Sequence, residues 1–171
     1  MITIIKADVN HAKLLSEIGK QTFIESHGMS APESDITNYI HSKFTKNAFL
    51  AELSDKDTVF HILYYNNNAI GYSKIVFNVS QVNIPFKQVT KLERLYVLKE
   101  FHDLKLGKEL FHYNVSLSKR NNQFGMWLYV WIENQRAFNF YKTMGFKIIG
   151  SFDFKISETH SNPNHQMLLT Y

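Results

Sequence analysis

The run Met126-Trp-Leu-Tyr-Val-Trp-Ile132 is apolar or aromatic at every position, with Gly125 before it and Glu133-Asn134 after it. It is far short of the ~20 residues that a bilayer-crossing helix needs, so its burial must come from protein. Its length is that of a strand, and a strand with no polar face is covered on both sides. Helical patterns flank it in sequence. From Leu104 to about Lys119, the residues Leu106, Leu110, Tyr113 and Leu117 recur on one helical face. After Asn134, which suits an N-cap, Ala137, Phe140, Tyr141 and Met144 do the same up to Gly145, which suits a C′ position. A buried strand between two amphipathic helices belongs to a layered α/β structure.

The remaining elements fit those layers. Thr3-Ile4-Ile5 reads as a short strand, and Asp8 is placed to cap a helix carrying Ala12, Leu15, Gly19, Thr22 and Phe23. A second helix starts after Pro32 with Ile36, Tyr39, Ile40 and Phe44 as its stripe, and a short helical piece covers Lys46 to Leu53. Strands are expected over Thr58–Tyr65, Ala69–Val79, Val89–Leu98, Phe146–Ile156 and His165–Leu169, the first two joined by a hairpin at Asn66-Asn67-Asn68. Trp127 and Trp131 read as core. His160 and His165, which flank Pro163, read as solvated loop.

The chain has no cysteine, which removes thiolate metal sites, disulfides and a cysteine nucleophile together, and its eight histidines show no ligand spacing, so no metal is expected. Met1 to Asp8 has no basic segment followed by a long apolar stretch, so a soluble cytoplasmic protein is expected, with no membrane partner. The net charge of +4 would by itself point to an anionic partner. Its distribution is narrower. Residues 1–86 hold 7 basic and 8 acidic side chains, residues 87–171 hold 12 and 7, and Gln21 to Ser42 has Glu25, Glu33 and Asp35 without one Lys or Arg. With no base-stacking motif and no continuous basic stripe, nucleic acid is not the expected partner.

Two segments carry chemistry. The first runs from Leu92 to Leu110, where a strand turns into a helix with Lys99, Lys105 and Lys108 close by. Unpaired N–H groups and the positive end of the helix dipole make such a turn a phosphate site, with Gly107 allowing close approach; the alternative is an ordinary strand-turn-helix with solvated lysines. The second reads Leu128-x-Val130-x-x-x-Asn134-x-x-Ala137-x-x-Phe140-Tyr141-x-x-x-Gly145-Phe146. This pattern, with the first segment in the right relative position, resembles the GNAT superfamily of N-acetyltransferases.

The resemblance implies that superfamily's fold, a mixed, mostly antiparallel sheet of about seven strands flanked by about four helices. It implies a single domain over residues 1–171, with acceptor-side helices at about 8–53 and an acetyl-CoA-binding core at about 88–146. It also implies acetyl-CoA as cosubstrate and direct transfer of acetyl to a primary amine. By the same carry-over, Leu95, Tyr96 and Val97 hold the pantetheine. His102, Leu104, Lys105, Leu106, Gly107 and Lys108 hold the pyrophosphate, and Asn134, Arg136 and Lys142 add contacts from the next helix. The loop departs from the family's Arg/Gln-x-x-Gly-x-Gly/Ala, having His102 first and Lys105 at the first Gly. Tyr141 would give its proton to the departing sulfur, since a phenol of pKa ~10 is protonated at neutral pH. Glu93 is the candidate base that frees the amine; its alternative is an ion pair with Arg94 or Lys91.

For the acceptor, Gln21-Thr-Phe-Ile-Glu25, Ala31-Pro-Glu33-Ser-Asp35, Tyr39, Phe44 and Glu52-Leu53 further resemble the PaiA-type spermidine/spermine N-acetyltransferases. That resemblance implies a polyamine bound by Glu25, Glu33, Asp35 and Tyr39, and it leaves a homodimer open. Two other classes stay open as well: transfer to an N-terminal amine or Lys of a protein or peptide, and a non-catalytic acyl-CoA-binding regulatory module.

Overall fold

In the computed structural model, which describes residues 1–171, seven strands form one sheet in the order β1-β2-β3-β4-β5-β7-β6. These are β1 (Ile2–Lys6), β2 (Thr58–Tyr65), β3 (Asn68–Val76), β4 (Thr90–Val97), β5 (Gly125–Trp131), β6 (Lys147–Lys155) and β7 (Ser161–Thr170). Every neighbouring pair is antiparallel except β4 and β5. Five helices flank the sheet: α1 (Ala12–His27), α2 (Glu33–Lys43), α3 (Lys46–Leu53), α4 (Leu106–Arg120) and α5 (Gln135–Thr143). None is long and apolar enough to cross a membrane.

Both faces of the sheet are covered, as the all-apolar β5 requires. Helices α1 to α3 pack Leu15, Phe23, Ile36, Ile40, Phe44 and Phe49 against Phe60, Ile62 and Tyr72 on one face. On the other, Phe111 of α4, Tyr141 of α5 and Phe146 just beyond α5 pack against Leu92, Met126, Leu128 and Val130. The buried face of α4 is rotated from the expected stripe: Tyr113 and Leu117 are half-buried, and Phe111, Asn114 and Ser118 go in. The reason is that β2 and β3 present polar His61 and Ser73 there, and Asn114 joins Ser73 Oγ at 2.8 Å and His61 at 3.2 Å. Burial pushes the His61 imidazole down to about 4, so this inner contact is uncharged.

Local signals set the connections. Asn66 and Asn67 both have positive φ, as a type I′ turn requires, between the paired residues Tyr65 and Asn68. Asn134 Oδ1 accepts the Ala137 N–H at 3.2 Å at the start of α5. Gly145, at φ +97°, ends that helix, with Gly145 N–H on the Lys142 carbonyl and Phe146 N–H on the Tyr141 carbonyl, a Schellman closure.

The last strand begins earlier than expected, at Ser161, and takes in both Pro163 and His165. Pro163 is tolerated because its missing donor lies where β5 has ended; its carbonyl accepts the Ile132 N–H at 3.1 Å. His165 is therefore not a solvated loop residue, and its ring packs on Phe138 at 5.2 Å. Nor is His160, which bonds the Ser30 carbonyl at 2.7 Å and ties the β6–β7 turn to the segment between α1 and α2.

Candidate active site

Strands β4 and β5 are paired only at Thr90–Met126 and Lys91–Trp127. Beyond that they separate, and β4 continues to Val97 with no partner on that side. The separation follows a bulge: against β3, Lys74 faces Arg94 while Ile75 faces Leu92, which leaves Glu93 as the extra residue. Leu98 N–H turns toward β3, onto the Ile70 carbonyl at 2.8 Å, so by strand alternation the amides of Leu95 and Val97 face the split. These are free backbone donors in a cleft between two strands.

After Val97 comes a 3₁₀ segment, Lys99–Leu104, and then Lys105 in the left-handed region at φ +57°. The helix expected from Leu104 therefore starts at Leu106, because Lys105 reverses the chain first. The N–H groups of Leu106 and Gly107 have no acceptor in the chain. A side chain at Gly107 would meet only Val97 Cγ2, at 3.7 Å, so the fold itself does not require glycine there. The glycine leaves an open cradle above two orphan donors, which is the chemistry that receives a phosphate group. Lys105 and Lys108 are exposed at its rim, as is Leu104. His102 donates from Nε2 to the Val97 carbonyl at 2.8 Å, which ties the loop to β4. Across the split, Arg136 and Lys142 lie exposed on α5, and Asn134 is half-buried with its Oδ1 used in the cap.

Tyr141 is the buried residue of α5 and shares a core cluster with Leu92 of β4 and Leu128 and Val130 of β5. Its hydroxyl makes no hydrogen bond in the chain, and burial, together with the nearby Tyr96 phenol, holds its pKa well above the ordinary value. Burial also pushes Tyr96 up to about 12. Both phenols are donors at neutral pH.

Glu93 has the environment of the ion-paired alternative. Its carboxylate meets Lys74 and, at 3.2 Å, Lys91; Lys74 also meets Glu52 at 2.7 Å, and Glu52 meets Arg94 at 3.1 Å. Burial opposes ionisation of Glu93, but the two ammonium groups outweigh it and hold the carboxyl below its usual range. A carboxylate so stabilised is a weak base, and the chain fastens α3 to the bulge with it.

The acidic acceptor residues divide in the same way. Glu25 accepts the Lys99 N–H at 2.9 Å, and Asp35 accepts the Ser157 hydroxyl at 3.0 Å, so both serve as ties within the chain. Glu33 is exposed in the first turn of α2. Tyr39 packs between Phe23, at 5.0 Å, and Phe154, at 6.2 Å. Sequence reasoning missed the groups nearest the split on this face. Trp131, read as core, is half-buried, and its ring stacks on His27 at 5.8 Å. His27 stacks in turn on Phe23 at 5.1 Å and stands edge-on to Tyr96 at 6.3 Å. Beside Trp131 on β7, Asn164 is buried with its Oδ1 unpartnered. No spacing signals these groups, because they come from α1, β5 and β7.

Comparison with known proteins places this arrangement. Residues 21–146 match the acetyltransferase (GNAT) family. An uncharacterized N-acetyltransferase of Lactobacillus delbrueckii subsp. lactis is 25% identical over 128 residues, 75% of this chain and 74% of that one. The spermidine N(1)-acetyltransferase of Thermoplasma acidophilum is 26% identical over 153 residues, 86% of this chain and 89% of that one. The crystal structure of the PaiA N-acetyltransferase from Thermoplasma acidophilum in complex with coenzyme A superposes with a TM-score of 0.79 at 24% identity, covering 100% of this chain and 99% of that one.

Proposed function

Since the chain belongs to the acetyltransferase (GNAT) family and is an acetyl-CoA-dependent acetyltransferase, we propose that its acceptor is a polyamine such as spermidine or spermine, acetylated on a primary amine. The observation that carries this reading is the aromatic lining of the acceptor side. His27, Tyr39 and Trp131, each half-buried, present ring surface there, and the buried rings of Phe23 and Phe44 back them. Such walls take methylene segments, and ring faces attract an ammonium group. Similarity to a spermidine acetyltransferase over most of the chain supports the same substrate class.

Acetyl-CoA supplies the activated acetyl group. The chain's own residues hold and direct it: the N–H groups of Leu106 and Gly107, with Lys105 and Lys108, receive the pyrophosphate, and the free amides of Leu95 and Val97 line the pantetheine path. One of those amides also stabilises the charge that grows on the acyl oxygen. Tyr141 gives its proton to the departing sulfur. His102 and Leu104 shape the loop, while Asn134, Arg136 and Lys142 flank the cofactor from α5. Glu33 and Tyr39 remain the substrate-side contacts, with Glu25 and Asp35 holding the walls in place.

The test is thiol release from acetyl-CoA with spermidine, spermine, short diamines, aminoglycosides and short peptides. Turnover is expected with the polyamines ahead of the rest. No turnover with any polyamine overturns the substrate, and turnover confined to peptides replaces it.

A further inference from the structure

Two residues that carry a neutral acceptor atom adjoin Trp131. One is His27. Its Nδ1 lies 2.7 Å from Ser26 Oγ, and the Ser26 hydroxyl proton is already directed to the Thr22 carbonyl at 2.8 Å. Ser26 Oγ therefore accepts, Nδ1 carries the imidazole proton, and Nε2 presents a lone pair that nothing in the chain uses. The other is Asn164, the cross-strand partner of Trp131, so both side chains stand on the same face of the sheet. Its neighbour Gln166 is bonded to Asn83 at 2.8 Å, whereas Asn164 Oδ1 is buried without a donor. A buried acceptor left open costs free energy unless a ligand completes it.

The place of this pair matters. Trp131 is on β5 and Tyr96 on β4, each well past the last paired residues, and His27 touches both. His27 thus spans the split from the α1 side while Tyr141 reaches toward Tyr96 from the α5 side. We propose that Trp131, His27 and Asn164 form the seat of the reacting nitrogen and that this seat takes the amine as its free base, with His27 Nε2 and Asn164 Oδ1 each accepting one of its N–H groups. Both N–H groups are then held by acceptors, and the nitrogen lone pair is left for the acyl carbon.

Proton affinities agree with a neutral occupant. Burial pushes His27 down to about 4, and an alkylammonium near ~10.4 lies about six decades away, so His27 does not deprotonate the incoming ammonium ion. The groups packed on His27 are Phe23 and Ser26 of α1, Tyr96 of β4 and Trp131 of β5, with Tyr39 of α2 behind Phe23. The only titratable ones are phenols, which are protonated here, so no carboxylate in that shell attracts the charged form. As the C–N bond forms and the C–S bond breaks, the nitrogen gives one proton to Nε2 and its N–H electron pair stays on nitrogen. Tyr141 gives its proton to sulfur, and water returns a proton from His27 to Tyr141.

The inference rests on amine acetylation and not on which amine, so the panel above and the following tests fail separately. With whichever amine turns over, kcat/KM should rise about tenfold per pH unit and level at that amine's own pKa, ~10.4 for an alkylamine and ~8 for a peptide α-amine. A break below the amine's pKa, set by the enzyme, overturns the seat. Asn164→Leu and His27→Phe, which keeps a stacking ring, should each raise the amine KM about tenfold or more and leave the acetyl-CoA KM unchanged. Unchanged amine KM in folded Asn164→Leu overturns it. Where His27→Phe does not fold, side-chain ¹⁵N NMR of the native protein serves: Nε2 is expected unprotonated at pH 7 and shifted by added amine. A protonated or unresponsive Nε2 overturns the assignment.

Discussion

A carboxylate between two ammonium groups is stabilised as the anion, and Glu93, between Lys74 and Lys91, is in that position. Tyr141 has the opposite environment, a buried phenol near that of Tyr96, with no hydrogen-bond partner in the chain. The two should therefore separate in a kinetic test. Tyr141→Phe is expected to lower kcat about 10²–10⁴-fold with melting unchanged, the range for loss of a general acid, while Glu93→Gln should lower it less than about tenfold. The reverse order would restore Glu93 as the base. The difference between the residues also shows where sequence reading stops. Tyr141 is legible because its neighbours Asn134, Ala137, Phe140 and Gly145 lie on the same short helix or cap it. The fate of Glu93 depends on Lys74 of β3 and, through Lys74, on Glu52 of α3, and no local spacing announces either. The same holds for His27, Trp131 and Asn164.

At the level of elements, the sheet and its helices follow from period and punctuation, and the departures have local causes. Lys105 delays α4 by taking a left-handed conformation, and Pro163 disguises the start of β7 as a turn. The split is not legible in local sequence, since nothing in Leu92–Val97 distinguishes a strand that leaves its neighbour from one that stays. What the structure adds is the device, a bulge at Glu93 on the β3 side and loss of pairing on the β5 side. Gly71 tests how tightly that geometry is set. It faces Val97, and a Cβ there would lie 2.6 Å from the Tyr96 carbonyl oxygen and 3.2 Å from Val97 Cα, both backbone atoms that cannot swing aside. Gly71→Ala should therefore push the end of β4 away from β3, destabilising the protein by about 1–3 kcal/mol. Because Leu95 and Val97 carry the free amides, the acetyl-CoA KM should rise while binding of the amine at Trp131 changes less. A variant with native stability and native acetyl-CoA KM would show that β4 accommodates the methyl group by bending elsewhere.

Across the whole molecule, the uneven charge separates the two substrates by physics as well as by place. The basic second half brings Lys99, Lys105 and Lys108, all exposed, around the turn into α4. The acid-rich stretch of α1 and α2 does not form a matching anionic well. Glu25 and Asp35 are committed to Lys99 and Ser157, and the groups nearest the split there are aromatic or neutral. Exposed charges at the phosphate loop act through solvent, where the screening length falls from about 10 Å at 0.1 M salt to about 3 Å at 1 M. A seat that takes a free amine through Nε2, an amide oxygen and an indole face has no net charge to screen. Raising the salt across that range should therefore increase the acetyl-CoA KM about several-fold, and Lys105→Ala with Lys108→Ala should flatten the dependence. The KM of a monoamine, corrected for its free-base fraction, should stay nearly constant. A polyamine, which keeps a second ammonium group for Glu33 and the ring faces, should fall between the two. Equal salt dependence of cofactor and monoamine would mean that the acceptor side works by charge after all.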